Sequence, residues 1–262
     1  MPRFKLTIEY AGTRYSGWQI QKNARTVQGE LARAIQEVTR RKEFELYGAG
    51  RTDAGVHALA QVAHLEIYSS LPPRTLRDRV NDLLPADIHV NDVLPVPHRF
   101  HARHDARARS YLYQISRRKT AFFKPYVWWV KEPLKVDAMR AAAESFVGMK
   151  SFDAFTADEP EEKSTKVLVD RVEVAEDGAL VLVRVVGSHF LWRMVRRMTG
   201  VLAAVGRGEL QIEDVGRLLN ERSETVGTLT APASGLFLEG VYYRDGDGPG
   251  SLLPATRVPR FD

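Results

Sequence analysis

The sequence predicts an α+β fold in which two similar halves form a mostly antiparallel sheet with helices on one face. Apolar residues alternate with a period of two in several short segments, and they recur with helical spacing in the segments between. The order of these segments is nearly the same before and after a basic stretch near residue 105. The 262-residue chain is 44% hydrophobic and 27% charged, which is typical of a globular protein with a substantial core.

The first half, residues 1–104, contains four predicted strands and two predicted helices. Phe4 begins a strand whose side chains alternate, Thr26 is a suitable N-cap, and Pro85 ends the second helix. The predicted elements are a strand at 3–10, a helix at 27–38, a strand around 44–46, a strand at 56–67, a helix at 74–84 and a strand at 88–96. This β-α-β-β-α-β order is the split βαβ, or ferredoxin-like, arrangement.

The second half, residues 105–245, has a similar order of elements but no clear sequence repeat of the first. Its predicted elements are strands at 109–115 and 127–130, a helix at 136–146, strands at 167–174 and 180–186, helices at 190–205 and 212–219, and a strand at 236–243. We expect an exposed acidic loop at 158–162. The Gly- and Pro-rich residues 246–262 are expected to form a poorly ordered tail.

The absence of cysteine excludes disulfides, zinc–cysteine sites and thiol catalysis. The N-terminal residues alternate between polar and apolar and lack the apolar core of a signal peptide. No apolar run approaches the length of a membrane span. We therefore expect a cytoplasmic protein.

Two basic clusters favour an anionic partner. The formal net charge is +5, and residues 98–120 carry seven arginine and lysine side chains against the single acid Asp105. A second cluster comprises Arg193, Arg196 and Arg197. Such runs are often only solvated faces, but these are interleaved with aromatic residues, which favours nucleic acid. Tyr111 and Tyr113 would share one face of a strand, where they could stack on an unpaired base or simply pack the sheet.

The segment from Gly48 to His57 is the most unusual loop in the sequence. It contains three glycines together with Arg51, Asp53 and His57, and it is much longer than a hairpin requires. Thr, Asp and Gly are also ordinary turn formers, so this loop is either a functional site or a long connection.

Other common catalytic motifs are missing from the sequence or have unfavourable surroundings. The series His98-x-x-His101-x-x-His104 lies among arginines, whose charge disfavours a cation, so phosphate contact or packing is the better interpretation. The sequence contains no dinucleotide-binding glycine motif, no Gly-Lys-Ser/Thr and no Gly-x-Ser-x-Gly.

Asp53 is the remaining candidate for chemistry. One carboxylate in an arginine-rich setting predicts covalent catalysis by an aspartate on an anionic substrate. A closed site would raise the pKa of the carboxyl group, and a neighbouring arginine would reverse that shift. Arg51 is close in sequence, and Arg196 on the long predicted helix is a second candidate.

Six segments, in order along the chain, closely resemble the tRNA pseudouridine synthase A family. The resemblance covers about residues 3–243, and the segment with Asp53 is the most specific. The segments are Tyr10-Ala-Gly-Thr-Arg-Tyr-Ser-Gly-Trp-Gln19, Thr26-Val-Gln-Gly29, Gly48-Ala-Gly-Arg-Thr-Asp-Ala-Gly-Val-His57, Phe100-His-Ala-Arg103, Met194-Val-Arg196 and Ala231-Pro-Ala-Ser-Gly-Leu236.

The resemblance implies isomerisation of uridines 38, 39 and 40 in the anticodon arm of tRNA to pseudouridine. It also implies a homodimer, no cofactor and no metal, and a positively charged cleft between the two halves. An asparagine is usual in this family where Ser188 and Arg197 stand.

Site residues follow from the same resemblance. Asp53 matches the catalytic aspartate and Arg51 its motif neighbour, while Arg196 is expected to pair with the aspartate. Tyr111 matches the tyrosine that contacts the target base, and Arg103 and Arg109 are expected to bind the substrate. The loop glycines are expected to open space for an extruded uridine, and His57 is expected to be structural.

Two alternatives remain open from the residues alone. A non-catalytic RNA-binding protein would account for the basic clusters and the tyrosines, but it leaves the Asp53 loop without a purpose. A nucleoside hydrolase acting on a small substrate would use the carboxylate without needing RNA around the target.

Overall fold

The computed structural model describes residues 1–157, 164–221 and 223–259, and the predicted acidic loop lies outside them. The chain divides into two compact units. Unit 1 is Met1–Arg107 with Leu238–Asp247, and unit 2 is Ala108–Phe237 with Gly248–Asp262. The first division falls between Arg107 and Ala108, and the predicted boundary after residue 104 stays a prediction. The chain then returns to unit 1 for ten residues near its end, which the sequence did not predict.

Unit 1 has the predicted order of elements. They are β1 (Arg3–Tyr10), α1 (Val27–Thr39), β2 (Glu45–Gly48), β3 (His57–Glu66), α2 (Pro73–Leu83) and β4 (Ile88–Val96). The strands are ordered β4-β1-β3, and β2 pairs with β3. All three pairings are antiparallel. This is the split βαβ order, and it places the loop from Gly48 to His57 between two adjacent strands.

Local sequence signals explain where the helices of unit 1 begin. The Thr26 hydroxyl accepts a hydrogen bond from the Gly29 amide, which caps α1. Pro73 occupies the first turn of α2, where a missing N–H has no consequence. Leu31 and Ile35 of α1 are fully buried, together with Leu6 of β1.

Unit 2 holds the remaining elements. They are β5 (Ala108–Ser116), β6 (Trp128–Trp129), α3 (Val136–Ala143), β7 (Gly148–Ser151), β8 (Lys166–Asp177), β9 (Leu180–Gly187), α4 (Met194–Arg207), α5 (Ile212–Asn220) and α6 (Glu224–Thr228). The strands run in the order β5-β9-β8-β7, all antiparallel, and the short β6 is parallel to β5. β10 (Leu236–Tyr242) follows, and its residues from Leu238 onward belong to unit 1.

The long helix of unit 2 begins later than predicted. The apolar pattern predicted a start at residue 190, but α4 starts at Met194, because Arg193 has a left-handed backbone with φ of 61°. Phe190 instead packs its ring edge-on against Tyr111, with the ring centroids 5.2 Å apart. Phe190 is therefore an apolar residue of the loop before α4, and it packs on Tyr111 of β5.

The C-terminal segment differs from the predicted poorly ordered tail, residues 246–262. Residues 248–259 contain no helix or strand, yet they are fastened to unit 2. The buried Arg184 guanidinium donates to the carbonyls of Gly250 and Ser251, each at 3.0 Å. The Gln114 side-chain oxygen accepts from the amides of Ala255 and Thr256 at 2.7 and 3.2 Å.

None of the helices in the described residues combines the length and the apolar character that a bilayer crossing requires.

Candidate active site

The loop between β2 and β3 is fixed to its surroundings on both sides of Asp53. The Ala49 amide donates to the Val62 carbonyl at 2.7 Å, and the Gln61 side chain donates to the Gly50 carbonyl at 3.0 Å. After these contacts the chain reaches Thr52, whose carbonyl accepts from the Trp18 amide at 3.1 Å. These hydrogen bonds therefore hold the main chain of the loop in place next to Asp53.

Thr52 also anchors the loop through its side chain. Its hydroxyl lies 2.8 Å from the hydroxyl of Tyr10, and both groups are buried. Burial raises the pKa of Tyr10 to about 12, even though hydrogen bonds with Thr52 and Gln61 lower it. The phenol therefore stays protonated at neutral pH. It supports Thr52, which is the residue before Asp53.

Asp53 lies at the turn that leads into β3. Its carbonyl accepts from the Val56 amide at 3.1 Å, and Gly55 between them has φ of 79°, which favours glycine. Asp53 is half-buried, whereas Arg51 is exposed. Among the residues that the structure describes, Arg51 has no hydrogen-bond or ion-pair partner, so its guanidinium is available to a ligand.

The three glycines of the loop have different surroundings. A Cβ on Gly48 would lie 2.6 Å from Nε1 of Trp18, so Gly48 leaves room for the buried indole. Gly55 is required by its positive φ. A Cβ on Gly50 would meet nothing within 4 Å. The expectation that the glycines open space for a substrate therefore applies at most to Gly50, and the other two serve the loop itself.

His57 is a buried support, as expected. Its Nδ1 accepts a hydrogen bond from the Gly12 amide at 3.0 Å, and the side chain is almost completely buried. Because Nδ1 accepts, the ring proton is on Nε2. His57 thus joins the loop to the segment after β1.

Arg51 and Arg103 line the same small recess in unit 1, together with Trp18, Tyr47 and Gly50. Its volume of about 20 Å³ suits a water molecule and is too small for a nucleobase. The two arginines on its wall make it a positively charged surface beside the Asp53 loop.

The three regularly spaced histidines have separate contacts in unit 1. His98 lies 3.3 Å from a Glu66 carboxylate oxygen, while Nδ1 of His101 accepts from the amides of Arg103 and His104. The rings of His101 and His104 are 4.2 Å apart. In the described part of the chain, no three His, Asp or Glu side chains are grouped so that they could hold a metal ion. Of the three, His101 holds the turn that carries Arg103, and the His104 ring packs on it.

In unit 2 the two tyrosines of β5 differ. Tyr113 is fully buried and its hydroxyl donates to the Pro232 carbonyl at 2.7 Å. Burial raises the pKa of Tyr113 well above 10, and the charge of Arg196 partly offsets this. Tyr113 is therefore a packing residue. Tyr111 is also largely buried and contacts the edge of Phe190.

The basic residues of unit 2 are held through main-chain oxygens. Nε of Arg196 donates to the Ala231 carbonyl at 2.7 Å, and the Ala231 amide returns a hydrogen bond to the Arg196 carbonyl at 3.1 Å. Nη1 of Arg109 donates to the Ser188 carbonyl at 2.6 Å. Arg197 donates to the carbonyl of Thr156. The acceptor at Ser188 is its main-chain oxygen, which any residue at this position would provide.

The structure thus brings Asp53, Arg51 and Arg103 into unit 1, while Tyr111, Arg109 and Arg196 belong to unit 2. The predicted pairing of Asp53 with Arg196 stays a prediction. Sequence reasoning missed Trp18 and Tyr47 as neighbours of the loop. Of the two, only Trp18 could have been noticed in the sequence, because it lies in a glycine-containing segment with no predicted helix or strand.

Comparison with known proteins places the chain in a family. A family model described as tRNA pseudouridine synthase matches residues 6–105 and 142–244. A tRNA pseudouridine synthase A from Citrifermentans bemidjiense is 42% identical over 249 residues, which cover 94% of this chain and 99% of that protein. A tRNA pseudouridine synthase A from Pseudothermotoga lettingae is 37% identical over 244 residues, with coverage of 92% and 99%.

A third relative, tRNA pseudouridine synthase A 2 of Bacillus cereus, is 39% identical over 246 residues, which cover 93% of this chain and all of that protein. A chain in the crystal structure of a Cbf5-Nop10-Gar1 complex aligns with a TM-score of 0.34 and 13% identity, over 76% of this chain and 45% of that one. That structural likeness is too low to support an argument.

The α+β units and the fixed aspartate loop therefore belong to an RNA-modifying isomerase of the pseudouridine synthase class. Within that class, the chain belongs to the tRNA pseudouridine synthase A family.

Proposed function

We propose that this protein converts uridines 38, 39 and 40 in the anticodon stem-loop of tRNA to pseudouridine, with Asp53 as the catalytic residue. The observation that carries the proposal is the loop from Gly48 to His57, which holds Asp53 by main-chain contacts on both flanks. The loop lies within the region that the family model matches. The proposed positions are those that the resemblance implies.

The reaction breaks the bond between C1′ and N1 of the uridine and forms a bond between C1′ and C5. The proton on C5 is released and N1 gains a proton, so substrate and product are isomers and no electron acceptor is needed. Asp53 would act by attacking the uracil ring, by attacking the sugar or by removing a ribose proton. Each of these roles requires an ionised carboxylate near the target nucleotide.

A stacked uridine must leave the anticodon arm before a side chain can reach its glycosidic bond. We propose that Tyr111 contacts the extruded base and that Arg196 pairs with Asp53, which would keep the carboxylate ionised. Arg51 and Arg103, on the wall of one recess, would bind phosphates beside the target, and Arg109 would contribute in the same way. Affinity for tRNA should then fall steeply as salt is raised.

Release of tritium from tRNA labelled at C5 of uridine tests the function. Formation of pseudouridine releases the label, whereas a protein that only binds RNA releases none. Chemical mapping of pseudouridine in the product identifies which of positions 38, 39 and 40 are modified. Activity on free uridine, with no requirement for the surrounding RNA, would instead indicate a nucleoside hydrolase and would contradict the proposal.

We also propose that the protein acts as a homodimer, as the family resemblance implies. Light scattering of the purified protein would show twice the mass of one chain. A monomer with full activity would contradict this part of the proposal.

A further inference from the structure

The turn that carries Arg103 is held by side chains that the reaction itself does not use. Ala102, the residue before Arg103, is completely buried. Its amide donates to Nδ1 of His64 at 3.1 Å, and its carbonyl accepts from the hydroxyl of Tyr243 at 2.8 Å. Both polar groups of this residue are therefore satisfied by side chains from distant points in the sequence.

The contact with Ala102 determines which ring nitrogen of His64 carries the proton. Because Nδ1 accepts from an amide, the ring proton must be on Nε2. Nε2 lies 2.8 Å from a carboxylate oxygen of Glu45, at the start of β2, and therefore donates to it. The His64 side chain is fully buried, whereas that of Glu45 is half exposed. The Glu45 carboxylate thus selects the form of His64 that can hold Ala102.

The peptide after Arg103 is fixed as well. The amides of Arg103 and His104 both donate to Nδ1 of His101, at 3.1 and 3.2 Å, and the His101 amide donates to an Asp105 carboxylate oxygen at 2.9 Å. The His101 ring packs against that of His64, with the centroids 4.7 Å apart. The backbone on both sides of the Arg103 Cα therefore has little freedom, which sets the direction in which the side chain leaves the turn.

We propose that His64, supported by Glu45, and Tyr243 are positioning residues that aim Arg103 at a phosphate of the RNA substrate. This inference rests on the proposed function, since it takes Arg103 as an RNA-binding residue. The side chain of Arg103 lines the same recess as Arg51. When a side chain already points to its binding position before RNA binds, less of its conformational entropy is lost on binding.

The packing around the turn allows substitutions that remove a hydrogen bond to Ala102 but keep the apolar contacts. Ala102 belongs to a small apolar cluster with Ala49 and Val62, against which Phe100 and Tyr243 pack. Tyr243→Phe retains the ring in this cluster and removes only the hydroxyl that holds Ala102. His64→Asn keeps an acceptor near the position of Nδ1, whereas His64→Leu keeps bulk without an acceptor.

The test is a double-mutant cycle between Tyr243→Phe and Arg103→Ala, read as the dissociation constant for tRNA by filter binding and as KM and kcat by tritium release. Tyr243→Phe alone should weaken binding and raise KM roughly fivefold, the effect of one net hydrogen bond, with kcat unchanged. In the presence of Arg103→Ala the same change should have almost no effect. Tyr68→Phe, at an exposed tyrosine of unit 1, is the matched control.

His64 provides the second arm. His64→Asn should bind tRNA more tightly than His64→Leu, because it restores the acceptor for Ala102. Equal effects of Tyr243→Phe with and without Arg103→Ala, or equal affinities of the two His64 variants, would overturn the inference. A wild-type protein that binds tRNA but releases no tritium would refute the proposed function, while the binding cycle would still decide whether Arg103 is positioned.

Discussion

Trp18 occupies the space that a side chain at position 48 would need. The indole is almost completely buried, and a Cβ on Gly48 would lie 2.6 Å from its Nε1 and 2.7 Å from the adjacent ring carbon. The Trp18 amide also donates to the Thr52 carbonyl. Trp18 therefore packs against the first residue of the loop and also forms a hydrogen bond with Thr52 in its middle. The position of Asp53 thus depends on the fit between Trp18 and Gly48.

Gly48→Ala should destabilise the protein and reduce its activity. The added methyl group must displace a buried indole, and overpacking of this kind costs about 1–3 kcal/mol. Urea unfolding measures the free-energy change, and tritium release measures the activity. Gly50→Ala is the matched control for stability in the same loop, because its Cβ meets no atom within 4 Å. Equal effects of the two substitutions would show that the packing on Trp18 does not position the loop.

Asp53→Asn should abolish the isomerase reaction while leaving tRNA binding and folding intact. The amide has nearly the same shape as the carboxylate but cannot act as nucleophile or base, so we expect the rate of tritium release to fall by at least roughly a thousandfold. Asp82→Asn, at an exposed position of α2, changes the net charge equally and should retain full activity. Substantial activity in the Asp53 variant would refute the catalytic assignment.

Stability should decline as the pH falls below about 6.5, in part because of His101. Burial lowers the pKa of His101 below 6.5, helped by the neighbouring His64 and His104, although Glu45 and Asp105 act in the opposite direction. The unfolded chain therefore binds a proton at a higher pH than the folded chain does. This contribution is fully present above pH 6.5 and is lost as the pH falls towards the lower pKa of the folded state.

Urea unfolding between pH 7.5 and 5.5 tests this pH dependence in wild type and in His101→Asn. The variant keeps a side-chain acceptor for the amide of Arg103 but cannot titrate, so its stability should depend less on pH, by at most one proton. His89→Asn, at an exposed position of β4, is the control and should follow the wild type. An unchanged slope in His101→Asn would exclude His101 as a source of the pH dependence.

Removal of residues 248–262 should destabilise unit 2 by about 2–3 kcal/mol, because the buried Arg184 loses two carbonyl acceptors and keeps its ion pair with Glu173. Thermal unfolding measures the effect. Arg184→Met should recover part of the loss in the shortened chain, since it removes the buried charge. No change on shortening would mean that these contacts contribute little.

The sequence predicts the elements of unit 1 well because its signals are local. Alternating side chains, the Thr26 cap and the stop at Pro85 each act within a few residues, and together they specify the β-α-β-β-α-β order. The start of α4 was predicted too early because Phe190 has the apolar character of a helix face but packs on Tyr111 from a loop. Periodicity cannot distinguish these two uses of an apolar side chain.

The details of the site depend on contacts between distant residues, which the sequence does not reveal. Gly48 looked like a residue that makes room for substrate, whereas the room is taken by Trp18. His64 lies in a run of buried residues on β3, where nothing in the local pattern indicates a bond to Ala102. The Gly- and Pro-rich composition of residues 246–262 suggested disorder, but Arg184 and Gln114 bind the main chain of residues 250–256.

The late return of the chain to unit 1 has a consequence for its synthesis on the ribosome. Tyr243 follows Ala102 by 141 residues, and Leu238–Asp247 are the last part of unit 1 to be made. While the intervening residues are being translated, the turn with Arg103 lacks one of its two supports at Ala102. The hydrogen bond from Tyr243 to Ala102 can therefore form only when translation is almost finished, long after β1 to β4 have been made.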